Sequence, residues 1–92
     1  IRSSSEPFAQ LLAQTLRERL GATWGLAETG AAGPTGNRYG DDAGHTCVAV
    51  SGPVSKVATL ETENGDRSAN MWRFSAEALG LFMLCLQESQ KT

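Results

Sequence analysis

Apolar and polar positions change their period along the chain. Phe8, Leu11, Leu12, Leu16 and Leu20 recur at helical spacing, with Gln10, Gln14, Arg17 and Glu18 off the stripe. Ser3 and Glu6 form a Ser-x-x-Glu capping box, Pro7 suits a first turn, and Gly21 is a natural stop. The pattern predicts a helix over about 5–20. Residues 23–29 (TWGLAET) then read as a strand because a glycine-rich loop follows at once. Residues 30–44 hold five glycines in fifteen positions, with Pro34 and three charges, and exclude a regular element. Residues 46–50 (TCVAV) are a continuous apolar run of strand length. Ser51-Gly52-Pro53 turns the chain into a returning strand over 54–62, where Lys56 and Glu61 suit an edge. Asp66 caps a last helix over about 67–89, with Met71, Phe74, Ala78, Phe82, Cys85 and Leu86 on its inner face and Leu79 and Met83 widening it.

The order is helix, strand, loop, strand, strand, helix, which argues an α/β sandwich with helices on the faces of a sheet. Ninety-two residues make one small domain with a modest core. Three strands and two helices leave sheet surface to cover, and the first helix lacks a strand ahead of it for a crossover. The start at Ile1-Arg2-Ser3, without Met, points to a processed or truncated product. The chain is therefore expected to be the C-terminal portion of a larger domain, completed by an N-terminal remainder or by a second chain.

Composition narrows the chemistry. A formal net charge of -2 and the lack of a basic cluster argue against nucleic acid as partner. No apolar run approaches the ~20 residues that span a bilayer, so no membrane role is expected. Cys47 and Cys85 lie in apolar contexts and read as buried reduced thiols rather than a disulfide. One His and two Cys offer no metal-ligand spacing, and neither a metal nor a cofactor is expected. His45 opens an apolar strand and reads as a satisfied strand-end histidine before a catalytic base.

The stretch "TGAAGPTG" (29–36) carries the functional signal. Glycines at 30, 33 and 36 permit positive φ and let backbone N–H groups approach a ligand. The loop leaves the C-terminal end of a strand, where open α/β sheets bind ligands, and Thr29 adds a hydroxyl. It is long for a plain connection. It contains neither Gly-x-Gly-x-x-Gly nor a Gly-Lys-Ser/Thr, which excludes a P-loop reading.

"GLAETGAAGPTG" (25–36) resembles the GLAxTGIAGPxG stretch of the CinA C-terminal domain, the nicotinamide-nucleotide amidase family. The spacing from Gly33 to Gly44, the strand Cys47-Val48-Ala49-Val50, Gly65-Asp66-Arg67 and Ala78-Leu79 fit the same pattern, over about residues 5–88. The resemblance implies a three-layer α/β/α sandwich with a mixed sheet, in an intracellular and most plausibly cytoplasmic protein forming a homo-oligomer. It implies hydrolysis of the carboxamide of nicotinamide mononucleotide to nicotinate mononucleotide and ammonia. Thr29 would lie at the site with Gly30 and Ala31 against the substrate; Gly33, Pro34 and Gly36 would shape the loop. Arg38 and Arg67 are the candidates for the phosphate. Tyr39 either stacks on a ring or packs over the loop.

Departures from the family pattern leave two readings open. The family's Ser-x-Thr-Gly-Gly segment, with its Ser nucleophile, and the Tyr and Lys that activate it, lie upstream of everything present here. This stretch alone should be inactive. Asp41-Asp42 replaces a Lys-Pro, and Met71 stands where an Arg is frequent. Glu28 replaces an apolar or small residue, either facing the site or simply exposed. One reading is the C-terminal half of an amidase domain; the other is a binding or assembly module that kept the fold and lost the chemistry.

Overall fold

The computed structural model of the chain describes residues 4–33, 35–36 and 41–91. The expected cap at Ser3, and Pro34, Arg38 and Tyr39, lie outside these residues. The elements are α1 (Glu6–Leu20), β1 (Gly25–Ala31), β2 (His45–Ser51), β3 (Lys56–Glu61) and α2 (Arg67–Ser89). Each matches an expected element within two residues, and the α/β class is as the pattern argued. No helix is long and apolar enough to cross a membrane among the described residues.

Local chemistry sets the ends of the helices. Ser5 is the N-cap of α1, its hydroxyl accepting from the Phe8 N–H at 3.4 Å, so the cap is not the Ser3 of the capping-box reading. Glu6 consequently sits at the first helical position and reaches β3, accepting from the Thr59 hydroxyl at 2.7 Å. At the other end Gly21 is left-handed, and the Gly21 and Ala22 N–H groups bond back to the Glu18 and Arg17 carbonyls. This is the paired-bond arrangement that commonly closes a helix. Asp66 caps α2 as expected, accepting from the Ala69 N–H at 3.1 Å.

The three strands form one sheet in the order β1-β2-β3, antiparallel throughout. Alternate residues of β2 face opposite helices. Cys47 and Ala49 pack with Ala27 of β1 under Ala9 and Ala13 of α1. Val48 and Val50 pack under Ala78, Leu81 and Cys85 of α2. The result is three layers, and every residue of β2 is buried. That double burial explains why 46–50 reads as an unbroken apolar run rather than an alternation. Fully burying one such side chain, Val48 for example, is worth about 1.5–3 kcal/mol.

Two faces differ from the sequence expectation. On α1 the deepest residues are Ala9 and Ala13, while Leu11, Leu16 and Leu20 are largely exposed. The helix seats against small residues, Ala27 and Ala49, and a Cβ at Gly25 would stand 2.1 Å from the Ala13 carbonyl oxygen. At so close an approach only alanines fit under the axis; Leu12 of the expected stripe packs beside them, half-buried, and Leu11, Leu16 and Leu20 are displaced to the flanks. On α2 the core face runs Asn70, Phe74, Ala78, Leu81 and Cys85. Met71 is exposed, and Phe82 sits half-buried, edge-on to Trp24 with ring centroids 5.4 Å apart. A helix apolar on nearly all sides gives periodicity little to choose from. The polar Asn70, not Met71, lies on the buried face. Opposite that face, Trp72, Leu79 and Met83 stand exposed at 80%, 60% and 55%.

Both cysteines are free and buried, as expected. Burial raises the pKa of each thiol and keeps it neutral.

Candidate functional site

The glycine loop, the start of β2, the end of β3 and the first turn of α2 meet at one end of the sheet. Antiparallel pairing brings them there. Thr29 is opposite Cys47, Gly30 opposite Thr46 and Ala31 opposite His45, while His45 is opposite Glu61. Side-chain alternation divides this end into two faces.

On the α2 face Asn70 holds the loop. It is 0% exposed and makes three hydrogen bonds. Its amide donates to the Ala32 carbonyl at 2.7 Å and the Asn64 carbonyl at 2.5 Å, and its oxygen accepts from the Thr62 hydroxyl at 2.5 Å. One side chain thus joins the exit of β1 to the turn before α2. Beside it the Arg67 guanidinium donates to the Gly33 carbonyl at 3.4 Å. Arg67 therefore lies against the loop, as a phosphate ligand would need. The Thr46 hydroxyl donates to Glu28 at 2.6 Å, with the Thr29 carbonyl oxygen 3.2 Å away. Glu28 is exposed, yet its carboxylate is held by Thr46 on this face.

On the α1 face Thr29 meets the segment ahead of α1. Its Oγ1 accepts from the Ser4 N–H at 3.1 Å. The Ser4 carbonyl accepts from His45 Nε2 at 2.7 Å, and His45 Nδ1 bonds Glu61. Asp41 approaches the same imidazole at 3.7 Å. Burial of His45 opposes its charge, but the bonds to Glu61 and Ser4 and the charges of Glu61 and Asp41 outweigh it, raising the pKa. Cys47 Sγ is 3.8 Å from Nε2. This is not a nucleophile–base pair: Nε2 is committed to Ser4, the thiol pKa is raised, and Cys47 is 2% exposed.

The glycines play a different part from the one their spacing suggests. A Cβ at Gly30 would lie 2.2 Å from the His45 carbonyl oxygen; at Gly33, 2.6 Å from that of Gly65; at Gly36, 2.1 Å from that of Asp41. The space beside each is filled by the chain's own backbone. Gly33 also has φ 113°, a conformation L side chains rarely adopt. The glycines fold the loop onto the protein. Thr29 and Arg67, both sequence-predicted site residues, stand on opposite faces of the sheet, with Gly30 to Gly33 running between them.

Sequence reasoning missed Asn70, Ser4, Glu61 and the role of His45. Asn70 had a signal: a polar residue four before Phe74 in an apolar stripe. The other three are brought together only by strand register and by the docking of α1 on the sheet. A concavity of about 310 Å³ is lined by Gln10, Gln14, Val50, Ser51 and Ser55 at the opposite end of the sheet. It has no titratable group in its lining, and the chemistry lies with the loop.

Comparison with known proteins agrees with the motif reading. The CinA C-terminal domain family matches residues 2–86. A CinA-like protein of Anaeromyxobacter dehalogenans strain 2CP-C is 39% identical over 83 residues, covering 90% of this chain and 20% of the relative. A CinA-like protein of Anaeromyxobacter sp. strain Fw109-5 is 41% identical over the same coverage. One from Synechocystis is 35% identical over 68 residues, 74% of this chain and 16% of the relative. The chain spans about a fifth of the length of the two Anaeromyxobacter relatives. With the motif at the end of β1 and the match along nearly the whole length, the chain belongs to the CinA C-terminal domain family.

Proposed function

We propose that this chain is the substrate-loop half of a nicotinamide-nucleotide amidohydrolase domain, which converts nicotinamide mononucleotide to nicotinate mononucleotide and ammonia. The observation that carries it is the Thr29-Gly30 motif at the end of a strand, in a chain of the CinA C-terminal domain family. Amide hydrolysis needs a nucleophile, a proton acceptor and donors for the oxyanion. Thr29 and the backbone N–H groups of the loop supply donors. Arg67, against the Gly33 carbonyl, supplies a cation for the phosphate. The nucleophile and its activating residues come from sequence outside this chain. The apolar outer face of α2, with Trp72, Leu79 and Met83, supports association with that remainder or with another copy.

The second reading is a binding or assembly module without turnover. Asp41 beside His45 and the exposed Met71, at a position where the family frequently has Arg, favour it. A nitrogen-15 titration of the chain with nicotinamide mononucleotide separates the two. The amidase reading expects shifts at Thr29, Gly30, Ala31 and Gly33, and ammonia release only when the upstream segment is joined. No release by the joined domain at high enzyme concentration would sink it.

A further inference from the structure

We propose that His45 is a positioning residue: its doubly protonated ring fixes the backbone of Ser4, and through Ser4 it turns the hydroxyl of Thr29 into a donor aimed at the ligand. The ligand part of this inference rests on the amidohydrolase reading; the clasp itself does not.

The argument starts from donors and acceptors. His45 Nε2 faces the Ser4 carbonyl oxygen at 2.7 Å, and Nδ1 faces a Glu61 carboxylate oxygen. Neither partner carries a proton to give, so both ring nitrogens must donate, and only the imidazolium does that. A neutral ring would turn a lone pair toward one of the two oxygens. Glu61 comes from β3, Asp41 from the loop ahead of β2 at 3.7 Å, and Cys47 from β2 at 3.8 Å with a neutral thiol. From α1, Glu6 is held one step away by the Thr59 hydroxyl. From β1, Thr29 brings a hydroxyl and no charge. Among the described residues, the charges facing the ring directly are thus two carboxylates, and both favour its proton.

Ser4 is the link. It is 5% exposed and left-handed at φ 56°, which a non-glycine residue rarely adopts without external restraint. His45 restrains its carbonyl, and the Cys47 thiol approaches the same oxygen at 3.5 Å. Held so, Ser4 directs its N–H to Thr29 Oγ1 at 3.1 Å. A hydroxyl that accepts on one side has its own proton to give on another. Thr29 is thereby presented as a donor, suited to a carboxamide or phosphate oxygen. The Glu61 carboxylate is a stronger acceptor than a neutral carbonyl and keeps the proton on Nδ1, so the proton lost is that of Nε2. This frees the Ser4 carbonyl, and the Thr29 hydroxyl loses its fixed orientation.

His45 is the only histidine of the 92-residue chain, so its ring resonance titrates alone by NMR. We expect a midpoint above that of an ordinary histidine, lowered by Glu61→Gln. Exchange of the Ser4 amide should rise with the same midpoint. Affinity for nicotinamide mononucleotide, measured from pH 7 to 9.5, should fall about threefold to tenfold through that midpoint, the worth of one hydrogen bond. His45→Gln, which donates one bond but does not titrate, should flatten this dependence and expose the contribution of the substrate's own phosphate. A midpoint at or below the ordinary value, or Ser4 exchange that ignores it, overturns the clasp. Affinity with the same pH dependence in the His45→Gln chain overturns the positioning role. If no nucleotide binds at any pH while Ser4 exchange follows His45, the clasp stands and the amidohydrolase reading fails.

Discussion

Asn70→Ala tests the device that carries the glycine loop. The substitution removes three hydrogen bonds at a site that is 0% exposed. The Ala32 carbonyl, in a residue 8% exposed, is left without that donor and costs about 1–3 kcal/mol. The Thr62 hydroxyl and the Asn64 carbonyl lie nearer water, and losing each bond costs about 0.5–1.5 kcal/mol. The sum is about 2–6 kcal/mol, against about 5–14 kcal/mol for a domain of this length. In urea, with a slope near the low end of about 1–3 kcal/mol/M, the midpoint should fall by about 2 M or more. Trp24, edge-on to Phe82 in the core, gives the fluorescence signal. Asn70→Asp sharpens the test. Its carboxylate keeps the acceptor for Thr62 but faces the Ala32 and Asn64 carbonyl oxygens, so its folded pKa is raised above its unfolded one. Stability is then lower at neutral pH and recovers as pH falls. A loss under about 1 kcal/mol for Asn70→Ala, or an Asn70→Asp variant indifferent to acid, would refute the reasoning.

Three further outcomes follow from the geometry. Gly33→Ala should destabilise by about 1–3 kcal/mol in the same urea assay, because φ 113° and the Gly65 carbonyl both reject a Cβ; its failure to bind a ligand would therefore say nothing about direct contact. The pKa of His45 is raised on folding, so its contribution to stability is full below the unfolded histidine pKa and is lost as pH rises through the folded one; unfolding midpoints between pH 6 and 9 should show this decline, absent in His45→Gln. Cys47 and Cys85, both buried with raised pKa, should react with an aromatic disulfide reagent only at the rate of unfolding, and fast native labelling of either would contradict their placement.

Much of the fold was legible because its signals are local. The run at 46–50 is apolar without alternation, which a strand covered on both faces requires, and the Gly21 stop and the Asp66 cap follow from what one residue's backbone or side chain does. The inner face of α1 was not legible, since leucines at helical spacing outbid alanines on any hydrophobicity count. Only the close seat against Gly25, Ala27 and Ala49 makes the alanines the buried ones.

The candidate site divides in the same way. The sequence by itself determined the family, the loop and the position of Thr29 at a strand end, because motif and spacing are properties of one dimension. Tertiary structure decided what those residues do. Strand register set Glu61 opposite His45, and the packing of α1 on the sheet brought Ser4 within bonding distance of both His45 and Thr29. Side-chain alternation on β1 turned Thr29 to the α1 face, and the packing of α2 set Arg67 on the other. The three loop glycines, which in sequence look like openings for a ligand, are in space the points where backbone meets backbone. A missing Cβ records that something comes close; whether it is a ligand or the protein itself is fixed only when the chain is folded.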